Sequence, residues 1–488
     1  MSNFYNYNLK FIQLLIIIFP ILFITGPFLP DLACVYIGFF YLIFSKKKKI
    51  FELFKNNFFI YLFFLYLYLV VNSFFSYNAK VSLSSSLPFL RIIIFIFALK
   101  FFFINYSDLS KKLYFCFIIC ISVLFIDSIF QFINGYNLVG FRSLNPERIT
   151  SFFDKQIMGS YITRLLPLVI GISFLLNIKK INLINIIILF ISGILVFLSA
   201  ERLAFVYFLL ILIFYFYINF EKKLLIYFLI FFILLINILN AYNNSFFNRI
   251  FFHTYNQIVN SKTFPGTSYR HGLHYQAAYK MFLDKPFFGN GLKSFRGLCG
   301  EQKYTLDYKI REDNFVKAEV EGKFYFVINQ ELSKDQDNLT YDIGILDDKG
   351  IIHQLANISP YSGSYFSKYN SGDKVRVGDS FYSYYDYKNG CNTHPHNIYL
   401  EFLSELGLVG FSFFFFIFLY SIYNIFFLLK KRIKKRLNRI EMCSLFILVG
   451  ISITMFPLFP SGSYFNNWLL IITYFPIGFY LSLKGKNV

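Results

Sequence analysis

Apolar runs of bilayer-crossing length, separated by short polar breaks, fill both ends of this chain. At roughly 17–25 apolar residues per span, helices are predicted near 11–29, 31–45, 57–75, 87–104, 113–133, 159–178, 181–199, 203–220, 223–241, 397–429, 441–459 and 464–483. The pattern reads as an all-α polytopic membrane protein with about twelve transmembrane helices. The run at 31–45 is short for a span and that at 397–429 is long, so a misplaced boundary or a re-entrant turn is expected at one of them.

Two stretches break the pattern. The connection 134–158 sets Arg142, Arg148, Asp154 and Lys155 among aromatic residues, which suits a short amphipathic segment on the membrane surface. The much longer 242–396 changes character along its length. Its first part, 242–298, reads as helical, whereas 301–388 carries short alternating runs at Lys323–Ile328, Leu339–Leu346, Ile351–Leu355 and Lys374–Tyr387, with a turn signal at Asp347–Gly350. These predict a small β-rich insert within a large loop. The chain thus divides into N-terminal transmembrane helices at 1–241, the loop at 242–396 and C-terminal transmembrane helices at 397–488.

Charge fixes an orientation. The net charge of +20 on a chain that is 56% hydrophobic and only 15% charged excludes an ordinary soluble protein. The basic residues cluster between apolar runs, at Lys46–Lys49, Lys179–Lys180, Lys222–Lys223 and Lys430–Arg436, which is the positive-inside pattern and not a nucleic-acid groove. With the N-terminus inside, every strong cluster lies in the cytoplasm, and 134–158, 199–202, 242–396 and 460–463 face outward. The first apolar run follows Lys10 without a small-residue cleavage site and is expected to be retained. Four cysteines, Cys34, Cys116, Cys120 and Cys443, fall in or beside spans. Cys299 and Cys391 alone lie in the outer loop and bracket the insert, so an oxidising compartment allows them to form a disulfide. Asp335-Gln336-Asp337 has a metal-binding form but sits in a polar turn with no nucleotide fold around it, and no Cys/His/acid cluster has zinc spacing.

The candidate chemistry gathers on the outer face. His396-Asn397 opens an apolar run, followed after nine residues by Gly407 and, after two more, by Gly410. This resembles the signature of the O-antigen ligase and polymerase superfamily, membrane glycosyltransferases that use polyprenyl-diphosphate-linked glycans. Arg202, in the tight break Ser199–Ala204, is similar to the family's Arg at an outer helix start. Tyr269–Ala278 with Pro286–Gly291 is similar to its Arg-bearing loop helix and Pro-x-x-Gly-x-Gly turn, and supplies Arg270.

The resemblance implies an enzyme of the bacterial inner membrane with its active site facing the periplasm, transferring the donor glycan to a sugar hydroxyl of lipid A-core. His396 is then the catalytic residue, and Arg202 and Arg270 bind the diphosphate. Arg148 and Asn397 are further candidate substrate contacts. No metal and no cofactor is expected; the partners are the lipid-linked donor, the acceptor and membrane lipid, with no nucleic acid. An O-antigen polymerase joining lipid-linked repeat units is the alternative within the superfamily. A glycan flippase or transporter is the alternative outside it, and would spread polar residues along many spans with internal repeats.

Overall fold

The computed structural model describes residues 2–45, 53–143, 148–176, 178, 180–219, 222–259, 269–299, 301, 303–304, 317–320, 323–332, 339–346, 352–358, 374–376, 392–434, 437–457 and 460–485. In chain order the main helices are α1 (Ser2–Ile17), α2 (Phe19–Ile24), α3 (Phe28–Phe44), α4 (Asn57–Phe74), α5 (Ala79–Ser86), α6 (Leu90–Asn105), α7 (Asp108–Asn134) and α8 (Met158–Leu175). They continue with α9 (Ile181–Leu198), α10 (Arg202–Asn219), α11 (Lys222–Tyr242), α12 (Tyr269–Asp284), α13 (Phe295–Leu298), α14 (Ile398–Lys434), α15 (Arg439–Thr454) and α16 (Asn467–Lys484). Among the described residues eight helical stretches, counting Ala79–Asn105 as one, are long and apolar enough to cross a membrane. The chain is a polytopic helical membrane protein.

Which helices are central follows from their sequences. A helix apolar on all sides must be covered on all sides in a bundle or face lipid. α8 takes the first course: from Met158 to Phe174 nearly every residue is buried, packed by α15, α9 and α10. α11 takes the second, with Ile226, Tyr227, Phe231, Leu234 and Ile238 all exposed. α16 is buried along most of its length against α6 and α3.

Polar residues inside the apolar bundle are costly unless paired, and here they tie helix ends together. Asp31 of α3 meets Arg91 of α6 at 2.8 Å. Asn467 of α16 donates to Asp31 and accepts from Arg91, both at 3.0 Å. In α7, Asp127 accepts from the Leu138 amide and the Ser151 hydroxyl, while Gln131 accepts from the Thr150 and Ser151 amides. The connection after α7, expected as a surface segment, is thereby pinned onto the end of that helix.

Among the described residues five short strands lie in the long loop: β1 (Lys317–Val320), β2 (Lys323–Leu332), β3 (Leu339–Leu346), β4 (Ile352–Ile358) and β5 (Lys374–Arg376). Their order in the sheet is β4-β3-β2-β1-β5, antiparallel except for the parallel β1–β5 pair. The Asp335–Asp337 and Asp347–Gly350 segments lie outside the described residues.

Candidate active site

Asn397 starts α14. Its Oδ1 accepts from the amides of Tyr399 and Leu400, and its Nδ2 donates to the Pro457 carbonyl at 2.8 Å. An Asn N-cap of this kind is worth about 1 kcal/mol. Expected as a candidate substrate contact, this amide is engaged with the backbone on both sides. His396, just before it, has φ +57°, a left-handed conformation that costs a non-glycine residue roughly 1–3 kcal/mol. The break between α15 and α16 holds it there, since the Ser461 amide donates to the His396 carbonyl at 2.8 Å. Glu401, one turn into α14, secures the same break by accepting from the Ser463 hydroxyl and the Tyr464 amide.

The glycine spacing has a geometric cause. α14 is not continuous: Gly407 has φ +63° and ψ −170°. That break frees the carbonyls of Ser404 and Glu405 and the amides of Leu408 and Val409. All four pair with the 286–291 turn, through Asn290 N to Ser404 O, Gly291 N to Glu405 O, Leu408 N to Pro286 O and Val409 N to Phe287 O. A Cβ on Gly407 would strike the Phe287 backbone, and one on Gly289, itself at φ +70°, would strike the Glu405 carbonyl. Glu405 closes the unit by accepting from the Lys293 and Phe295 amides at 2.8 and 3.2 Å. The two glycine motifs, far apart in sequence, are one joint.

That joint carries α12 to His396. The His396 ring lies 5.0 Å from that of His271, 5.4 Å from His274 and 4.1 Å from His394, centroid to centroid. Its Nε2 faces the Asn392 amide nitrogen at 3.1 Å. Burial, and then the facing imidazoles of His394, His271 and His274, push the His396 pKa down to about 2. Burial and His274 push His394 down to about 4. Both rings are therefore neutral at physiological pH. Among the described residues no group of His, Cys, Asp or Glu is placed to hold a metal ion. Arg270 is in the first turn of α12, directly before His271; its side chain lies outside the described residues.

A second cluster lies where α8, α9 and α10 meet. Ala200, at φ +49°, makes the tight reversal between α9 and α10. Glu201 does not serve as the ion-pair partner of Arg202 that adjacency suggests. Its carboxylate caps the N-terminus of α8, accepting from the Gly159 amide, the Ser160 amide and the Ser160 hydroxyl. Burial nevertheless raises the pKa of Glu201. Arg148 donates to the Ser199 carbonyl and to the side chain and carbonyl of Gln156. Burial, set against Glu201 and joined by Arg249 and Arg202, lowers its pKa. Arg148, Arg202 and Arg249 thus act on one another within a small region, and the Glu201 carboxylate that acts on Arg148 is committed to a helix end. Arg164, a turn and a half into α8, is buried and turns its Nη1 back to the Ser160 carbonyl.

The structure therefore brings Arg270's helix to His396 and Arg148 to Arg202. Sequence reasoning missed His271 and His274, whose three-residue spacing was weighed only against zinc, and Arg249, which follows the Asn-rich end of the ninth apolar run. It also passed over Glu401 and Glu405, although two acids four apart in an apolar run signal buried partners. Cys299 is buried and disulfide-bonded. Cys34, Cys116 and Cys120 carry free thiols, and Cys391 lies outside the described residues.

Residues 187–327 match the family model described as O-antigen ligase. The match includes Arg202, Arg270 and the 286–291 turn and ends within β2, before His396. No curated protein matches the chain, and no solved structure matches it.

Proposed function

We propose that this chain, whose residues 187–327 match the O-antigen ligase family model, transfers a polyprenyl-diphosphate-linked glycan to a sugar hydroxyl of lipid A-core. The reaction takes place at the periplasmic face of a bacterial inner membrane that the chain crosses about twelve times, with 242–396 outside. The observation that supports this reading is the convergence on His396 of α12 and the α15–α16 break, with the 286–291 turn after α12 docked on the Gly407 break of α14.

The chemistry divides between the two clusters. The acceptor oxygen attacks the anomeric carbon as the bond to the diphosphate oxygen breaks, and polyprenyl diphosphate leaves with the electron pair. His396, neutral before substrate arrives, takes the acceptor's proton. A resting pKa of about 2 makes a poor base, because general-base catalysis works best near the operating pH. The incoming diphosphate corrects this: negative charge beside an imidazole favours its protonated form. Arg202 and Arg270 hold the diphosphate by planar, bidentate donation, with Arg148 supporting Arg202 and Asn397 fixing the backbone of His396. This scheme calls for no metal.

The test is transfer in vitro, with chelator present, at equal membrane abundance. His396→Ala is expected to lose at least the 10²–10⁴-fold that general-base action supplies, and His394→Ala much less. Arg202→Lys and Arg270→Lys are expected to weaken donor binding although charge is kept. Full activity in His396→Ala rules out the base. Lipopolysaccharide from a deletion strain separates the two acceptors: loss of all polymer with lipid-linked polymer accumulating marks the ligase, and a single capping repeat marks a polymerase.

A further inference from the structure

A lateral cavity of about 900 Å³ opens between α4, α6, α14, α15 and α16. Its inner wall is apolar, with Ile417, Leu448, Ile451 and Ile477 all buried behind it. Three lysines from three separate elements stand at it: Lys55 just before α4, Lys100 near the end of α6 and Lys484 at the end of α16. Lys484 contacts the Tyr420 hydroxyl and sits 5.0 and 5.3 Å from the Tyr420 and Tyr480 ring centres. Among the described residues that line the cavity there is no Asp or Glu.

The cavity is remote from His396. α16 begins at Asn467, six residues past Ser461, whose amide bonds to the His396 carbonyl, and Lys484 lies at the other end of that helix, roughly 25 Å away at 1.5 Å per residue. The opposite ends of α6 and α16 carry Arg91 and Asn467, which bond to each other. A cavity at that distance from His396 takes no part in the transfer site. Its composition selects a ligand. The apolar wall suits an acyl chain and gives nothing to a free anion, while three cations without an acid suit a phosphate that carries net charge. Lysines at helix ends reach the interface in this way while their stems stay against apolar surface, and basic pockets between transmembrane helices are sites for anionic lipid head groups.

We propose that this cavity binds one anionic phospholipid from the leaflet opposite His396, its acyl chain against Ile451 and Ile477 and its phosphate among Lys55, Lys100 and Lys484. The lipid fills the space between five helices, including both helices that frame the break holding His396.

Native mass spectrometry of the full chain in detergent, titrated with phosphatidylglycerol and with phosphatidylcholine of the same acyl composition, reads the site directly. One tightly held phosphatidylglycerol is expected, with phosphatidylcholine markedly weaker. Each Lys→Gln change is expected to weaken phosphatidylglycerol about fivefold, and the triple variant to erase the preference. Equal binding of the two lipids, or displacement of the phosphatidylglycerol by inorganic phosphate, overturns the proposal. Lys55→Gln and Lys484→Gln alter exposed residues and are read separately; unchanged phosphatidylglycerol affinity in both overturns it even where the triple variant fails to fold.

Discussion

At the scale of single residues, the site is built by taking histidines out of water and setting them against one another. His396 is held in a left-handed conformation with three other imidazoles around it, so protonating any one ring penalises the rest. The proposed base function then makes a prediction about pH. A base loses activity as pH falls through its pKa, because the protonated ring can no longer accept. In the free enzyme that pKa is about 2, so kcat/KM should show no acid limb from His396 between pH 5 and 8. With the anionic donor bound the pKa is raised, so the acid limb of kcat should lie at higher pH than that of kcat/KM. Parallel pH profiles of the two constants check this; an acid limb in kcat/KM near pH 6.5 that disappears in kcat is the reverse order and contradicts it.

At the scale of elements, α14 depends on being broken. Gly407 and Gly289 meet backbone to backbone, each at positive φ, so an alanine at either combines left-handed strain with a clash that no side-chain rotation relieves. Each Gly→Ala change should destabilise by more than about 2 kcal/mol. Gly462→Ala, with open space around it, should fall within about 0.5 kcal/mol of wild type. Melting midpoints in detergent order the three, and a Gly407→Ala midpoint equal to that of Gly462→Ala refutes the joint. The same joint marks where sequence reading ends. The spacing from His396 to Gly407 and Gly410 was legible as a signature, and the length of the 397–429 run hinted at an interruption. What the glycine is for was not, because its partner turn is brought to it only by the fold. Likewise Ser199–Arg202 was legible as a tight break, but Glu201 could not be assigned to the end of α8 from its neighbours in sequence.

At the scale of the whole molecule, hydropathy located the helices because length and apolarity are local properties, whereas the centrality of α8 and the exposure of α11 depend on partners that hydropathy does not name. Two global expectations rest on compartment. The first is that Cys299 pairs with Cys391, closing the insert at its base. A loop of that size is worth up to roughly 4–5 kcal/mol in the chain-entropy model, and mass mapping of non-reduced, alkylated protein should recover the joined peptides; Cys391 recovered as an alkylated thiol defeats it. The second is orientation. Thr393 lies just before the His396 end of α14, and Ile433 is exposed at its other end. Between them is a helix apolar enough to cross the bilayer, and basic residues gather only at the Ile433 end, where the positive-inside rule puts the cytoplasm. In a chain whose free cysteines are replaced by serine, a membrane-impermeant maleimide applied to intact spheroplasts should label Thr393→Cys at once and Ile433→Cys only after lysis. The reverse result inverts the orientation and moves His396 into the cytoplasm, and labelling of both from outside removes the crossing by α14.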